Sequence, residues 1–591
     1  MRSVFVRFSD TSPERRFRAA LAGLALLVGG VPEVVATAEQ NADALIAAYV
    51  DAWREFYPTR AFARGDAKQA AFFESYADQK LDRWLVRNAA TEAAALRLLA
   101  GADALPDARV TDLRVLAVQS RREQAQWSED RPRETQPQWY AEQVSQALTH
   151  LLVREQLSVG DRNAALIARL QGVARLCEAA RLRLREGNRL RSERALRTLG
   201  ATRDFYDDGL RRLTNAWPAG AAAATRRRSI DDAISAIAML EEYLRDRILP
   251  GASPRTSMGA RRYGAKLQRR SAGAYTPEAL LAEAGAEMER TKELMVREAR
   301  RWSAARNEKP ADPDEEDDRL LALALDAMEA ERASNQAEFL RSFRELTAAA
   351  ERFVIESGIA TVPQPTTLFT DLSPAHFSGA AVGGVYPSGP FDPTANTLFY
   401  LPSIADDAAE QTREGFYRSF NTHFNTMIIS HEMFPGHYLQ YKVAVSEAPV
   451  LRSLFPDGAY VEGWGSFVEE LMLDAGWADN APLTRLAHLR KRLENATRAY
   501  VSVQVHTQDW NAEQVLRFAE EEGLLAPQFA RNLWQRAVHS PLQITDYMRG
   551  YKQFQRLWAS RDPTRPTRAW VDSVLRAGPV PVAFLGDEAG L

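Results

Sequence analysis

Apolar residues recur at three- and four-residue intervals along most of the chain. This spacing places them on one face of an α-helix, with polar positions on the other face. The pattern predicts helices over residues 41–56, 81–100, 139–156, 162–185, 229–247 and 277–302, and helical periodicity returns from residue 409 to about residue 577. Two segments are predicted as loops because Gly, Ser, Pro or charged residues dominate them, namely 251–274 and 308–318.

The pattern changes between residues 360 and 403, where Gly, Pro, Thr and aromatic residues are frequent. Residues 380–386 and 397–401 are apolar runs bounded by turn-forming residues, which is typical of short strands. The sequence therefore predicts a mainly α-helical fold with a small β-sheet just before the helical stretch that begins at residue 409.

Composition narrows the class of protein. The chain has 591 residues, of which 46% are hydrophobic and 26% charged, so it can bury a large core. Its net charge of −3 gives no electrostatic argument for nucleic-acid binding. The single cysteine, Cys177, excludes an intrachain disulfide and is predicted to be a buried apolar residue in a helix.

The first 38 residues have the order of a secretory signal peptide. Arginines at positions 2, 7, 15, 16 and 18 precede an apolar run over 19–28, and Ala36-Thr37-Ala38 follows. The run is too short to span a bilayer. We predict export to the periplasm or medium with cleavage after Ala38, and no integral membrane segment in the mature chain. Residues 39–591 are predicted to form a single large domain, which leaves open a division into two lobes at 39–355 and 356–591.

Candidate metal chemistry lies in the segment Ser430-His431-Glu432-Met433-Phe434-Pro435-Gly436-His437. Helical zinc sites present two histidines at i and i+4, with a glutamate after the first as general base. Here the second histidine stands at i+6, which on a regular helix would direct the two rings about 120° apart. Proline disrupts a helix and glycine tolerates unusual dihedrals, so a break at Pro435-Gly436 is predicted to return His437 to the side of His431.

A carboxylate downstream completes the candidate ligand set. Glu462 follows in Glu462-Gly463-Trp464-Gly465, and it is predicted to be the third ligand, carried by a second helix that packs closely through its glycines. Glu469 lies two turns later on about the same face and is predicted to accept a hydrogen bond from a ligating histidine. Two histidines and one carboxylate leave a coordination position for water, as in catalytic zinc sites.

The motif His431-Glu432-x-x-Pro435-Gly436-His437-x-x-Gln440, followed by Glu462-Gly463-Trp464, resembles the large bacterial family called domain of unknown function 885. The resemblance extends over most of the mature chain and includes Tyr57-Pro58-Thr59-Arg60-Ala61 and Pro541-Leu542-Gln543. It implies a relation to the glutamate-liganded zinc peptidases (gluzincins), a metallopeptidase-like fold, Zn²⁺ on His431, His437 and Glu462, and Glu432 as the base.

Other residues of the catalytic machinery are predicted by analogy with helical peptidases. Tyr547, His506 and Arg498 are the candidate donors to the oxyanion that forms during hydrolysis. Residues 396–401 are predicted to be an edge strand that binds extended peptide by main-chain pairing, with Asn396 or Tyr400 lining the cleft.

The sequence therefore predicts a zinc metallopeptidase, in which Zn²⁺ activates water and Glu432 accepts its proton. Three alternatives stay open. The first is a zinc hydrolase of non-peptide amides or esters, which would use the same groups. The second is a non-catalytic peptide- or ligand-binding protein on a degenerate peptidase scaffold, and the third is a purely structural helical protein.

Overall fold

The computed structural model describes residues 37–154, 157–217, 220–306, 316–373, 384–405 and 407–588. Before the sheet, the α-helices are α1 (Ala38–Phe56), α2 (Pro58–Ala63), α3 (Asp78–Leu99), α4 (Asp107–Ser128), α5 (Pro132–Thr135), α6 (Pro137–Gln146), α7 (Thr149–Val153), α8 (Val159–Arg183), α9 (Arg189–Phe205), α10 (Arg211–Asn215), α11 (Ala221–Tyr243), α12 (Ala260–Arg270), α13 (Pro277–Ala305), α14 (Glu316–Ala330) and α15 (Gln336–Ser357). The predicted mainly α-helical fold is confirmed.

A small sheet interrupts the helices, with strands β1 (Leu368–Leu372), β2 (Gly384–Tyr386) and β3 (Thr397–Leu401). The helices that follow are α16 (Glu410–Ser419), α17 (Thr422–Glu432), α18 (His437–Glu447), α19 (Val450–Leu454), α20 (Gly458–Asp474), α21 (Pro482–Thr507), α22 (Ala512–Glu521), α23 (Pro527–His539), α24 (Asp546–Ala559), α25 (Thr567–Ala577) and α26 (Leu585–Glu588).

One predicted loop is wrong in part, because residues 260–270 of the segment 251–274 form helix α12. Tyr263 and Leu267 are fully buried and lie four residues apart, so they share one face of this helix. The arginines and lysine around them hide this short apolar stripe in the sequence. The other predicted loop, 308–318, lies mostly outside the described residues, and α14 begins at Glu316.

The sheet has the strand order β1-β3-β2, in which β3 pairs parallel with β1 and antiparallel with β2. Of the predicted strand 380–386, residues 380–383 lie outside the described residues and 384–386 form β2. The main-chain N–H of Thr367, just before β1, donates to the hydroxyl of Tyr438 on α18 at 2.9 Å. The sheet therefore lies beside the helix that begins at His437, as the sequence predicts.

Glycines set the position of two helices that carry candidate site residues. A Cβ on Gly463 of α20 would lie 2.3 Å from the main chain of Gly550 on α24. A Cβ on Gly550 would in turn lie 1.7 Å from the carbonyl oxygen of Ala459. The two backbones thus approach more closely than any other residue type would allow. This contact holds Glu462 on α20 close to Tyr547 on α24.

The start of α20 is fixed by Asp457. Its carboxylate accepts hydrogen bonds from the main-chain N–H groups of Ala459 and Tyr460, at 3.1 and 3.3 Å. The same carboxylate pairs with Arg122 of α4 at 3.0 Å. A helix cap and an ion pair to a distant part of the chain therefore position the helix that presents Glu462.

The predicted signal peptide lies outside the described residues except for Thr37 and Ala38, the cap and first residue of α1. Among the described helices, none combines the length and apolar character that a bilayer crossing requires.

Candidate metal centre

The two histidines of the motif meet at a break between helices α17 and α18. The first helix ends at Glu432 and the second begins at His437, so four residues from Met433 to Gly436 connect them. A Cβ on Gly436 would lie 1.9 Å from the carbonyl oxygen of His431, so only glycine fits there. The indole N–H of Trp464 on α20 donates to the carbonyl of Pro435 at 2.9 Å and anchors the turn.

The break brings the two imidazoles together, as the sequence predicts. Their ring centroids are 4.7 Å apart. Nε2 of His431 lies 3.7 Å, and Nε2 of His437 lies 3.6 Å, from the same oxygen of Glu462, Oε2. We refer to His431, His437 and Glu462 as the His–Glu cluster.

These distances suit three ligands around one ion. They exceed the usual length of an N–H···O hydrogen bond, about 2.7–3.2 Å. Ligand atoms about 2.1 Å from a tetrahedral zinc ion lie about 3.4 Å from one another. The carboxylate of Glu432 also groups with the two histidines, with ligand atoms within 4.8 Å of one another. Glu462 is better placed than Glu432 to act as a third ligand, because one of its oxygens faces both Nε2 atoms.

Glu469 fixes the orientation of the first histidine. Its Oε1 accepts a hydrogen bond from Nδ1 of His431 at 2.8 Å, and its Oε2 accepts one from Nδ1 of His488 at 2.9 Å. Since a carboxylate only accepts, Nδ1 of His431 carries the proton and Nε2 presents its lone pair to the cluster. This pairing of carboxylate with histidine is common behind metal-binding imidazoles.

The second predicted glycine of α20 allows this geometry. A Cβ on Gly465 would lie 2.6 Å from Cε1 of His431, so the helix backbone lies directly against the imidazole. Gly463, by contrast, faces α24 and not α17. Close packing of α20 onto the motif therefore depends on Gly465.

The carboxylates of Glu462 and Glu469, both on α20, are held ionised. Burial alone would raise the pKa of Glu462, but the imidazoles of His431 and His437 outweigh this effect and keep that pKa well below its usual range. Burial likewise raises the pKa of Glu469, but Lys491 and the hydrogen bonds from His431 and His488 lower it to about 2. Two negative charges next to paired imidazoles favour a cation at the cluster.

The cluster opens into a cavity of about 1140 Å³. Glu432, the last residue of α17, lines this cavity together with the three cluster residues. Helices on both sides of the sheet in the sequence line the cavity. They are α1, α2, α4, α6 and α7 before the sheet, and α17 to α21, α23 and α24 after it. A substrate in the cavity would reach the cluster and the Glu432 carboxylate at once.

Tyr547 lines the same cavity. The side-chain amide of Gln543 donates to Oε1 of Glu462 at 3.3 Å and to the hydroxyl of Tyr547 at 3.4 Å. Burial, followed by the charge of Glu462, raises the pKa of Tyr547 to about 12. The phenol therefore keeps its proton at neutral pH and can donate it in a hydrogen bond.

Arg498 also lines the cavity, but its guanidinium is engaged. It donates to Asn495 at 2.8 Å and pairs with Glu494, and it lies 5.1 Å from the centre of the Tyr547 ring. These contacts suit a residue that supports Tyr547.

The predicted role of His506 is wrong. Its Nδ1 accepts from the main-chain N–H of Met258 at 3.2 Å, and its Nε2 donates to the carbonyl of Ala537 at 2.9 Å. The ring is fully buried, stacks on Tyr263 and does not line the cavity. Both nitrogens are used by the fold, so neither can reach an oxyanion.

The predicted substrate strand is also wrong. Residues 397–401 form β3, the central strand of the three described strands, so both of its edges are already paired. Neither Asn396, which is exposed, nor Tyr400, whose ring lies 6.0 Å from that of Tyr386, lines the cavity. The part of the sheet that does reach the cavity is Val385 of β2 with Pro387 after it.

Several polar residues at the site were not predicted. His488 and Lys491 on α21 contact Glu469, and Tyr441 lies one turn after His437 with its ring centre 6.2 Å from that imidazole. The position of Tyr441 follows from the i, i+4 spacing once α18 is known to begin at His437. His488 and Lys491 carried no local signal, because only the packing of α21 on α20 brings them there.

Comparisons with known proteins agree with this fold. A family model, described as bacterial protein of unknown function (DUF885), matches residues 58–588. A protein described as a lipoprotein of unknown function from Shewanella oneidensis has a similar structure, with a TM-score of 0.76, 19% identity, and coverage of 94% of this chain and 99% of that chain. A protein described as a lipoprotein, from Colwellia psychrerythraea, is similar with a TM-score of 0.73, 14% identity, and coverage of 94% of this chain and 99% of that chain. No curated protein matches the chain.

Proposed function

Since this chain belongs to the bacterial family of unknown function DUF885, whose description assigns no chemistry, we propose from its own residues that it is a zinc-dependent peptidase. The observation that carries the proposal is the His–Glu cluster. Two imidazole Nε2 atoms face one Glu462 oxygen at 3.7 and 3.6 Å, and Glu469 holds the far nitrogen of His431. Nitrogen and oxygen donors of this kind suit zinc.

Zinc held by the cluster would supply a Lewis acid that polarises a carbonyl group and makes water more acidic. Glu432 stands beside the cluster and would accept a proton from the attacking water. It would then deliver that proton to the nitrogen of the leaving amine, so that one water is consumed for each peptide bond cleaved. Tyr547, protonated at neutral pH, would donate a hydrogen bond to the negative charge that develops on the carbonyl oxygen.

The decisive experiment combines metal analysis with cleavage of a peptide library, read by mass spectrometry with and without a chelator. We expect about one zinc ion per chain and cleavage that the chelator abolishes. Glu432→Gln should keep the metal and lower kcat by about 10²- to 10⁴-fold. The matched control is Glu55→Gln, which changes an exposed glutamate on α1. This variant should keep the wild-type metal content and the wild-type kcat.

Two results would overturn the proposal. If the purified protein binds no stoichiometric metal, the proposed metal site is wrong. If Glu432→Gln cleaves peptide as fast as the wild type, Glu432 is not the general base. Hydrolysis of esters or acyl amides without any peptide cleavage would keep the zinc chemistry but reassign the substrate. Metal binding without any hydrolysis would favour a binding protein on a peptidase scaffold.

We further propose that the protein works outside the cytoplasm. The support is the charged, apolar and small-residue order of residues 1–38, together with two structural neighbours described as lipoproteins. Expression of the full chain followed by N-terminal sequencing of the periplasmic fraction should give a mature chain that begins after Ala38. Retention of the intact N-terminus in the cytoplasm would contradict this.

A further inference from the structure

One wall of the cavity is cationic. Among the described residues, six arginine or lysine side chains and four glutamates line the cavity. Most of these charges have a partner. Arg122 pairs with Asp457, Arg498 pairs with Glu494, and the Glu123 carboxylate accepts hydrogen bonds from Tyr57, Trp84 and Gln119.

Arg60 and Arg64 differ from these residues. They lie one helical turn apart at the end of α2, so both can face the cavity that they line. Among the described residues, no carboxylate lies within ion-pairing distance of either guanidinium. Arg60 packs over the ring of Tyr57 at 4.4 Å and feels the charges of Glu123 and Glu74 at longer range. Arg64 has no acidic neighbour of that kind.

The surroundings of Arg64 increase its need for an anion. Burial lowers its pKa, which records the cost of keeping this charge away from bulk water. Next to it, burial and the charges of Arg154, Arg64 and Arg169 lower the pKa of His150 to about 3. Arg64 is half-buried, and a cation that is partly removed from water beside other cations is stabilised when an anion pairs with it.

The main chain holds Arg64 firmly in place. Its carbonyl accepts a hydrogen bond from the N–H of Phe391 at 3.2 Å. A Cβ on Gly389 would lie 1.9 Å from that carbonyl oxygen, so the loop after β2 touches the arginine backbone directly. The backbone from which the Arg64 side chain extends is therefore fixed at the cavity wall.

Tyr441 connects this wall to the His–Glu cluster. Its pKa is raised by burial, lowered by Arg64, and raised by Glu462 and Glu432, so it lies within electrostatic reach of both the arginine and the catalytic carboxylates. Its ring also contacts that of His437. An anion on Arg64 would therefore lie in the same cavity as the His–Glu cluster and Glu432.

We propose that Arg64, assisted by Arg60, binds the free terminal carboxylate of a peptide substrate, so that the enzyme cleaves near the C-terminus of peptides. The planar guanidinium matches a carboxylate with two parallel hydrogen bonds. This inference rests on the proposed peptidase function for its substrate, but the arginine wall can be tested without catalysis.

The first experiment measures binding to the metal-free protein by calorimetry. The probes are one short peptide with a free C-terminal carboxylate and the same peptide as its C-terminal amide. We expect the acid to bind about 10- to 100-fold more tightly than the amide. In Arg64→Gln this ratio should fall to near one, and Arg64→Lys should restore part of it. The control is Arg87→Gln, which removes one positive charge from an exposed position on α3. This variant should keep the wild-type ratio of acid to amide affinity.

The second experiment repeats the comparison as cleavage by the zinc-loaded protein, with circular dichroism to verify that each variant is folded. Equal binding of acid and amide by the wild type, or an undiminished preference in Arg64→Gln, overturns the inference. If the acid and the amide peptides are cleaved equally well, the peptidase function is supported and the proposed carboxylate site is wrong. If the acid binds more tightly than the amide but neither peptide is cleaved, the carboxylate site is supported and the proposed peptidase function is wrong.

Discussion

Two buried histidine sites differ in what their ring nitrogens contact. In the His–Glu cluster, Nδ1 of His431 donates to Glu469, and Nε2 faces a carboxylate oxygen that it shares with His437. At the end of α21, both nitrogens of His506 bond to the main chain, and an aromatic ring covers its face. Both residues are buried histidines on helices, yet only the first has a lone pair directed at a site that a ligand can enter.

The comparison shows which feature separates a functional histidine from a structural one. Both histidines are buried, so burial does not distinguish a functional histidine from a structural one. The cluster keeps negative charge next to its imidazoles, which would attract a cation. Burial, aided by the charge of Arg191, lowers the pKa of His506 to about 4, so this histidine is uncharged at neutral pH and serves the packing of α21.

The largest expected effect is the loss of zinc affinity when a residue of the His–Glu cluster is replaced. His437→Ala removes one of the three proposed ligands. Zinc affinity should therefore fall by more than the factor of about 10 to 100 that is expected when a residue supporting a ligand is lost. His506→Gln should bind zinc like the wild type. Competition with a fluorescent chelator measures the zinc dissociation constants of the two variants. Equal zinc affinities in His437→Ala and His506→Gln would contradict the distinction between a functional and a structural histidine.

Two of the three predicted oxyanion donors, Tyr547 and His506, give the next contrast. Tyr547→Phe removes a hydroxyl that lines the cavity, and kcat should fall by about 10²- to 10³-fold with metal content unchanged. His506→Gln should leave kcat per folded molecule unchanged. Steady-state kinetics at saturating peptide test this, and a large loss of kcat in a folded His506→Gln variant would restore that residue to the site.

Glu469 sharpens the comparison, because it belongs to the fold and to the site at once. Glu469→Gln keeps the shape but removes the charge that holds Nδ1 of His431. We expect zinc affinity to fall by about 10- to 100-fold while the protein stays folded. Unchanged affinity would mean that the carboxylate supports only the packing between α20 and α21.

The smallest effect concerns stability and its dependence on pH. Because the pKa of His506 is lowered to about 4 in the folded state, the unfolded chain takes up the proton first, and stability is lost as pH falls from about 6.5 towards 4. His506→Gln should lower the free energy of unfolding by about 1–3 kcal/mol at pH 7, since it removes two buried hydrogen bonds.

The same variant isolates the titration of His506. The difference in stability between wild type and His506→Gln should shrink by about 2 kcal/mol between pH 7 and pH 5. Urea unfolding at both values measures this difference. A constant difference across that range would show that His506 is not held neutral by its surroundings.

Local signals in the sequence were enough for most of the cluster. The Pro435-Gly436 pair between the histidines indicated the break, and Gly465 after Glu462 indicated the close packing of α20 onto the motif. The apolar periodicity likewise predicted the mainly helical fold. These features depend on a few neighbouring residues, so a sequence can reveal them.

Contacts between distant segments were harder to predict. Whether strand 397–401 is central or at an edge depends on β1, whose pairing with it is not visible in either segment alone. The role of His506 depends on Met258 and Ala537, which lie far from it in the chain. Arg60 and Arg64 reach the cavity only because α2 packs beside the loop after β2. Such positions are set by tertiary packing and not by local pattern.

One measurement tests the central claim most directly: an anomalous difference map from crystals grown with zinc, recorded on both sides of the zinc absorption edge. One peak should lie about 2.0–2.2 Å from Nε2 of His431, Nε2 of His437 and an oxygen of Glu462. A map with no peak among these three atoms, while zinc is present in the crystal, would contradict the proposed metal centre.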